Sequence, residues 1–241
     1  PPMVSASNSR LCVCGGTIAR AHGANGWGFW PQRCPACDAR FERERIRRDR
    51  IERTHAIQAR ITFIPPRYQA ARLAHVPGKL ATSLLGGGCY VWGPTGCGKT
   101  HALYGLARYL AIRHGGTVFM SFDGLLRELR EGFDTQKSES AILRRYERAR
   151  YLLLDDVAAG SDSVFAARVM LAVLDYRHNH LLPTYFSANV PPEKIKAVYG
   201  ERVFSRLVGT CSVIRLGGED RRLERQAAKT KEETHSARCR S

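Results

Sequence analysis

Residues 93–100 of the chain read Gly93-Pro94-Thr95-Gly96-Cys97-Gly98-Lys99-Thr100. This order is that of a phosphate-binding loop, in which glycines let successive backbone N–H groups point at phosphate oxygens. Lys99 is expected to reach the β- and γ-phosphates, and Thr100 to bind Mg²⁺. Apolar residues precede the loop and a helical pattern follows it, so we predict an ATP site formed by residues 93–100 with His101. The alternative is a glycine-rich turn without a ligand.

Beyond residue 60 the sequence alternates between short apolar runs and stretches with helical periodicity. The apolar runs are predicted strands, at 89–92, 117–120, 151–154, 184–187 and 211–216. Helices are predicted at 99–114, 123–131, 138–149 and 163–180. Such alternation is typical of an α/β domain with a mostly parallel sheet between layers of helices. Pro65 and Pro66 interrupt the preceding helical pattern, which indicates a domain boundary near residue 60.

The chain has 241 residues, which suits one α/β domain and a small additional module. Its 38 Lys and Arg residues exceed its 22 Asp and Glu residues, for a net charge of +16. This excess favours a polyanionic partner such as nucleic acid, although a solvated arginine-rich surface has the same composition. The sequence contains no apolar run of membrane-spanning length and no signal segment, so a cytoplasmic location is expected.

Four of the eight cysteines form two close pairs near the N-terminus, Cys12 with Cys14 and Cys34 with Cys37. Two thiolate pairs held on tight turns are typical of a tetrahedral, structural Zn²⁺ site. Redox-active or unliganded thiols are the alternative, because one residue between the first two cysteines is an unusual spacing.

The N-terminal quarter of the sequence divides into two predicted segments. Residues 1–38 are interpreted as a zinc-binding module. Residues 39–63 are interpreted as a charged linker helix, with a docking helix for nucleic acid or a protein partner as the alternative.

Two adjacent carboxylates follow the predicted strand at 151–154. Asp155 is expected to bind Mg²⁺, and Asp156, on the opposite side of an extended chain, is expected to act as the general base toward water. Asn189 follows the next strand and is expected to orient the attacking water or to sense the γ-phosphate. In isolation, these residues would equally suit a turn or a helix cap.

Arg202 and Arg206 lie four residues apart, which puts them on one face of a short predicted helix. A guanidinium delivered from there to the γ-phosphate of a neighbouring subunit would stabilise the charge of the transition state. Without such a neighbour, these residues are ordinary surface arginines.

The ordered set GPTGCGKT at 93–100, LLLDDV at 152–157, FSAN at 186–189 and GERVFSRL at 200–207 resembles the core of the AAA+ ATPases. Within that class it is similar to the replicative helicase loaders of the DnaC/DnaI type, over residues 64–216. The resemblance implies that Asp155 and Asp156 form the Walker B pair, that Asn189 is sensor 1 and that Arg206 is a finger acting on a neighbouring subunit. The resemblance further implies that Arg215 is sensor 2. Val157-Ala158 departs from the family, in which a glycine often follows the acidic pair.

This resemblance implies an ATP-dependent loader that places a replicative hexameric helicase on single-stranded DNA. The N-terminal module would dock on the helicase, AAA+ domains would self-associate side by side, and residues 217–241 would form a basic polar tail. Contacts to DNA phosphates are expected from Arg127, Arg130, Arg144, Arg145 and Arg148. Two alternatives are an IstB-type transposition helper and a zinc-bearing DNA-binding adaptor that holds ATP without turnover.

Overall fold

The structure is a computed structural model, and it describes residues 9–22, 28–134, 138–157, 164–218 and 220. The chain divides into two compact units, which meet in the sequence between Ala59 and Arg60. Most of the predicted tail, residues 217–241, therefore lies outside the described residues. None of the helices within the described ranges is both long enough and apolar enough to cross a membrane.

The first unit contains two small antiparallel ladders and most of a long helix. Strand β1 (Ser9–Leu11) pairs with β2 (Thr17–Ala19), and β3 (Ala21–His22) pairs with β4 (Gly28–Phe29). Helix α1 (Pro35–Arg60) has 26 residues, none of them buried. It begins earlier than the predicted 39, since proline suits the first turn of a helix and the Asp38 carboxylate favours its positive end. Cys37 therefore lies inside the helix.

The second unit is a five-stranded parallel sheet with helices on both faces, which confirms the predicted α/β fold. Its helices are α2 (Gly78–Leu85), α3 (Lys99–Arg113), α4 (Phe122–Asp134), α5 (Glu139–Glu147), α6 (Val164–Asn179), α7 (Pro192–Tyr199) and α8 (Glu201–Thr210). Its strands are β5 (Cys89–Trp92), β6 (Thr117–Ser121), β7 (Tyr151–Val157), β8 (Thr184–Ala188) and β9 (Ser212–Arg215). The strand order is β6-β7-β8-β5-β9, so the strand that precedes the glycine-rich loop lies between β8 and β9.

Successive side chains of the central strands point to opposite faces of the sheet, and apolar residues on both faces explain why helices cover each of them. One set of strand residues packs against α4 to α8: Tyr90, Leu152, Leu154 and Phe186. The intervening residues pack on the other face, against α2 and α3: Cys89, Val91, Leu153 and Tyr185. Because every strand is parallel, the carboxyl ends of β5, β7 and β8 meet at one edge, where the functional residues lie.

Residues 64–68 are held against the sheet by aromatic stacking. Pro66–Tyr68 form a 3₁₀ turn, and the ring of Tyr68 stacks on Tyr104 of α3 at 4.4 Å between centroids. Tyr104 in turn stacks on Phe119 of β6 at 3.9 Å. This three-ring stack fixes the start of the domain beside the helix that follows the phosphate-binding loop.

Candidate nucleotide-binding site

The loop at 93–100 has the backbone geometry that its glycines predict. Gly96 and Gly98 have φ of 80° and 103°, a left-handed region that other residues enter only with strain. Helix α3 starts directly after Gly98, so its first N–H groups and the positive end of its dipole face the loop. This arrangement of main-chain atoms suits an anion.

Lys99 is the first residue of α3, and its side chain is directed back over the loop. It is only 6% exposed, and its Nζ donates to the carbonyl oxygens of Gly93 and Pro94, at 2.8 Å each. The ammonium group is therefore already held among the atoms that would surround a phosphate.

The chain beyond β9 crosses the same loop. The backbone N–H of Leu216 donates to the Trp92 carbonyl at 2.7 Å, and a Cβ added to Gly96 would lie 1.9 Å from a carboxylate oxygen of Asp220. The guanidinium of Arg215, the expected sensor 2, lies 5.4 Å above the ring of Trp92. Arg215 is thus placed beside the start of the loop, stacked on an aromatic ring.

Asp155 faces the start of α3. Its Oδ1 accepts hydrogen bonds from Thr100 Oγ1 at 3.1 Å and from the hydroxyl of Ser187. Burial raises the pKa of Asp155, and these two hydrogen bonds oppose that shift. A carboxylate and a hydroxyl oxygen are ligands that suit Mg²⁺, so Thr100 and Asp155 fit the predicted metal site.

A β-bulge separates the two acids, which corrects the prediction of plain alternation along an extended strand. Leu154 pairs with Phe186 and Val157 with Ala188, so β7 has one more residue than β8 between these pairs. The strand consequently continues to Val157 and contains both acids. Asp156 has φ 57°, a conformation that costs a residue other than glycine about 1–3 kcal/mol.

The bulge leaves the carboxylate of Asp156 exposed at the edge of the sheet. There its Oδ1 accepts a hydrogen bond from Asn189 Nδ2 at 3.0 Å. Asn189, also exposed, follows β8 as predicted. The structure therefore brings the acidic pair, Asn189 and the loop with Lys99 and Thr100 to one edge of the sheet.

Arg206 lies apart from these groups, on α8. Its Nε donates to Asp175 Oδ1 at 2.6 Å, and its side chain is 41% exposed. Arg202 reaches the other oxygen of the same carboxylate only at 3.7 Å and is 76% exposed. Asp175, on α6, therefore binds the Nε of the Arg206 guanidinium. The two terminal nitrogens of that group take no part in this hydrogen bond.

The arginines predicted to contact DNA differ in their surroundings. Arg127 pairs with Asp123 at 2.8 Å and Arg145 with Glu128 at 3.4 Å. The guanidinium of Arg130 lies 5.6 Å from the ring centre of Phe165. The remaining two, Arg144 and Arg148, are exposed and have no ion pair within the described residues.

The four N-terminal cysteines come together in the first unit. Their sulfur atoms all lie within 4.8 Å of one another, and those of Cys14 and Cys34 are 3.5 Å apart. Zn–S bonds of about 2.3 Å put tetrahedral sulfurs roughly 3.8 Å apart, so this cluster has the right size for the metal.

The surroundings of these sulfurs also suit a cation. Backbone amides of Cys14 and Cys34 lower the pKa of Cys12 to about 6. The sulfurs of Cys14, Cys34 and Cys12 raise the pKa of Cys37 to about 12. A Zn²⁺ ion would allow all four sulfurs to be thiolates together.

Two residues of the site have contacts that the sequence analysis did not assign. Ser187 bridges both acids, and its only signal is a hydroxyl in a strand that is otherwise buried and mostly apolar. Asp175 supports Arg206, but an acid in the middle of a helix gives no local signal of that role.

The sequence profile of the IstB-like ATP binding proteins matches residues 89–229. The replicative helicase loader DnaI of Bacillus subtilis is 31% identical over 150 residues, which cover 57% of this chain and 48% of DnaI. The replicative helicase loader DnaC of Escherichia coli K12 is 22% identical over 116 residues, 48% of this chain and 47% of DnaC. The chain thus spans about half the length of the curated relatives that it matches.

Several solved structures share the fold. A crystal structure of the DnaC helicase loader superposes with a TM-score of 0.56 and 19% identity, over 64% of this chain and all of that one. The crystal structure of DnaI gives a TM-score of 0.55 with 23% identity, over 66% of this chain and 94% of that one. The structure of the initiator DnaA bound to AMPPCP and single-stranded DNA gives a TM-score of 0.56 with 17% identity. This match covers 65% of this chain and 52% of that one. At these identities the match concerns the fold alone.

Proposed function

Because the chain belongs to the family of IstB-like ATP-binding proteins, we propose that it is an ATP-dependent loader of a replicative DNA helicase. Its AAA+ domain is an ATPase domain. The observation that carries the proposal is the convergence, at one edge of the sheet, of Lys99, the Thr100–Asp155 contact and the Asp156–Asn189 pair. Similarity to DnaI, a replicative helicase loader, favours loading over other uses of ATP.

Each residue of this edge has a distinct part in hydrolysis. Main-chain N–H groups of residues 93–98 and the ammonium of Lys99 bind the phosphates. Thr100 and Asp155 would hold Mg²⁺, which would neutralise phosphate charge. Asp156 accepts a proton from the attacking water, and the Asn189 amide orients that carboxylate and the water. His101 follows the loop, with its ring 6.5 Å from that of His75.

Arg206 completes the site of a neighbouring copy. Its guanidinium is partly exposed, and only its Nε edge is engaged by Asp175 in the described residues. The terminal nitrogens are therefore available to the γ-phosphate of a second subunit, where positive charge stabilises the transition state. ATP binding would thus close an interface between subunits, and hydrolysis would release it.

Single-stranded DNA is the proposed polyanion. Arg144 and Arg148 are the best candidates on the basic helices, because Arg127 and Arg145 are already paired with carboxylates. The net charge of +16 supports an electrostatic, sequence-independent contact with phosphates.

The cysteine cluster is proposed to bind one structural Zn²⁺ and to belong to the part that docks on the helicase. Elemental analysis of the purified chain should give one zinc per chain. In Cys37→Ser the zinc content should fall below about a tenth, because three thiolates hold zinc much less tightly than four.

Cys89→Ala is the control for this measurement, since Cys89 lies in β5 of the second unit and is not one of the four clustered cysteines. It should keep the wild-type zinc content. Equal zinc in Cys37→Ser and the wild type, or zinc near zero in both, would remove the metal from the proposal.

Loading is tested by mixing the chain with a hexameric replicative helicase and labelled oligothymidylate. With ATP, light scattering should show a complex of defined stoichiometry, and the helicase should remain on the oligonucleotide after a salt wash. Lys99→Ala should lose both effects, because it removes the positive charge that stabilises the phosphates. Lys79→Ala, which removes an exposed lysine of α2 that is not among residues 93–101, should behave like the wild type.

The same experiment separates the alternatives. The family match equally suits an IstB-type transposition helper, which would prefer duplex DNA and a transposase to the helicase. A nucleotide-holding adaptor would bind ATP but release no phosphate, with or without DNA. A complex whose stoichiometry is identical with ATP, with ADP and without nucleotide would contradict the loader.

A further inference from the structure

Ser187 lies in β8, a strand in which every residue is buried. It is 1% exposed, so its hydroxyl contacts the protein interior and not solvent. That hydroxyl donates to Asp155 Oδ1 and accepts from the backbone N–H of Asp156 at 2.9 Å. One buried oxygen thus contacts both adjacent acids of the neighbouring strand.

The donor side of this contact orients Asp155. A serine hydroxyl has a single hydrogen, and here it is directed to the Asp155 carboxylate. Thr100 donates to the same oxygen from the opposite element, the start of α3. Two hydroxyls on two separate elements therefore converge on Oδ1, and together they define the direction of the carboxylate.

The acceptor side stabilises the bulge at Asp156. Since β7 has an extra residue there, the Asp156 N–H is displaced from the regular ladder with β8, and Ser187 Oγ accepts its hydrogen bond. This bond supports a left-handed backbone conformation, with φ of 57°. The conformation in turn places the Asp156 carboxylate beside Asn189.

We propose that Ser187 is a positioning residue that sets the geometry of both acids at once, an inference that rests on the proposed roles of Asp155 and Asp156. Its hydroxyl orients the metal-binding carboxylate by donating to it and keeps the general base exposed by accepting from its backbone. Because Ser187 is buried, its role is to position the two acids and not to contact the reacting atoms. Hydrolysis therefore depends on a buried hydroxyl of the adjacent strand.

The kinetic test is ATP hydrolysis by Ser187→Ala and Ser187→Thr. Ser187→Ala should lower kcat by about 10–100-fold, the usual cost of removing a group that orients a metal ligand. The KM for ATP should change by less than about twofold, because the loop and Lys99 carry the binding. Ser187→Thr keeps the hydroxyl and should restore kcat to within about threefold of the wild type.

A second readout needs neither ATP nor metal. In the nucleotide-free protein, the N–H of Asp156 loses its acceptor in Ser187→Ala, so its exchange with deuterium should accelerate by about tenfold or more. Ser187→Thr should exchange at the wild-type rate. Should Ser187→Ala fail to fold, Ser187→Cys provides the same comparison, since a thiol is a weak donor of similar size.

Thr117→Val is the matched control. Thr117 begins β6, at the opposite end of the sheet, and its buried Oγ1 has no hydrogen-bond partner among the described residues. Removing that hydroxyl should change neither kcat nor the exchange of Asp156. If Thr117→Val reduced kcat as much as Ser187→Ala, the effect would be one of general packing and the inference would be overturned.

Failure of the inference is distinguishable from failure of the proposed function. If Asp156→Asn lowers kcat and Ser187→Ala does not, the proposed acid roles stand and Ser187 has no positioning role. If Asp156→Asn leaves kcat unchanged, the proposed function of the acid is wrong. In the Asp156→Asn background, Ser187→Ala should lower kcat by less than it does in the wild type, because the part of its effect that acts through Asp156 is already lost.

Discussion

Replacing Asp156 with asparagine is expected to lower the turnover number for ATP hydrolysis by about 100-fold or more, the usual contribution of a general base. The Asp156 carboxylate is exposed at the sheet edge, and Asn189 donates to it at 3.0 Å. An asparagine there keeps an oxygen that can accept this bond, so the geometry is retained and proton transfer is lost. Phosphate release under saturating ATP measures the effect.

Binding of ATP should be nearly unaffected by the same change. The affinity for a fluorescent ATP analogue should stay within about twofold of the wild type, since the loop and Lys99 are intact. Asp123→Asn is the control, because it neutralises an exposed acid whose contact is an ion pair with Arg127 on α4. A turnover number for Asp156→Asn equal to that of Asp123→Asn would exclude Asp156 as the base.

The sheet and the phosphate-binding loop could be predicted from sequence because both depend on local patterns. Apolar runs of strand length recur between helical stretches, and the glycines of 93–98 permit only a few backbone paths. Parallel pairing then brings the residues that follow β5, β7 and β8 to one edge. For this reason the sequence alone indicates that Asp155, Asn189 and Thr100 lie close together.

The bulge at Asp156 could not be predicted in this way. It arises from the register between β7 and β8, in which Val157 and not Asp156 pairs with Ala188. Register depends on packing along the whole strand pair and leaves no signature in either strand alone. Ser187 was missed for the same reason, since its role exists only in relation to the bulge.

Arg177 is a buried charged residue that helical periodicity alone does not identify. It lies on α6 on the same stripe as the buried residues Val169 and Val173, which are eight and four positions earlier. A long charged side chain at such a position is usually expected to reach solvent. Here it is 0% exposed, and burial lowers the pKa of Arg177 to about 10.

Within the described residues, no carboxylate pairs with this guanidinium. Backbone carbonyl dipoles stabilise its positive charge instead. It makes five hydrogen bonds, one to the hydroxyl of Thr184 and four to the carbonyl oxygens of Tyr146, Glu147, Ala149 and Pro183. Three of these carbonyls lie at or just beyond the end of α5, where the helix dipole favours a positive charge. Arg177 thereby joins α5, α6 and the start of β8.

Arg177→Met is expected to lower the free energy of unfolding by about 3–5 kcal/mol, because several buried carbonyls lose their donor at about 1–3 kcal/mol each. The thermal midpoint should fall by roughly 10 °C for a domain of this size. The thermal midpoint of Arg177→Lys should lie between those of Arg177→Met and the wild type, since an ammonium has three donors and a guanidinium five. Arg168→Ala removes an exposed arginine of the same helix, paired with Glu139 at 3.2 Å and 60% exposed. Arg168→Ala should lower the free energy of unfolding by less than about 1 kcal/mol. A thermal midpoint for Arg177→Met as high as that of Arg168→Ala would mean that the buried guanidinium adds nothing to stability.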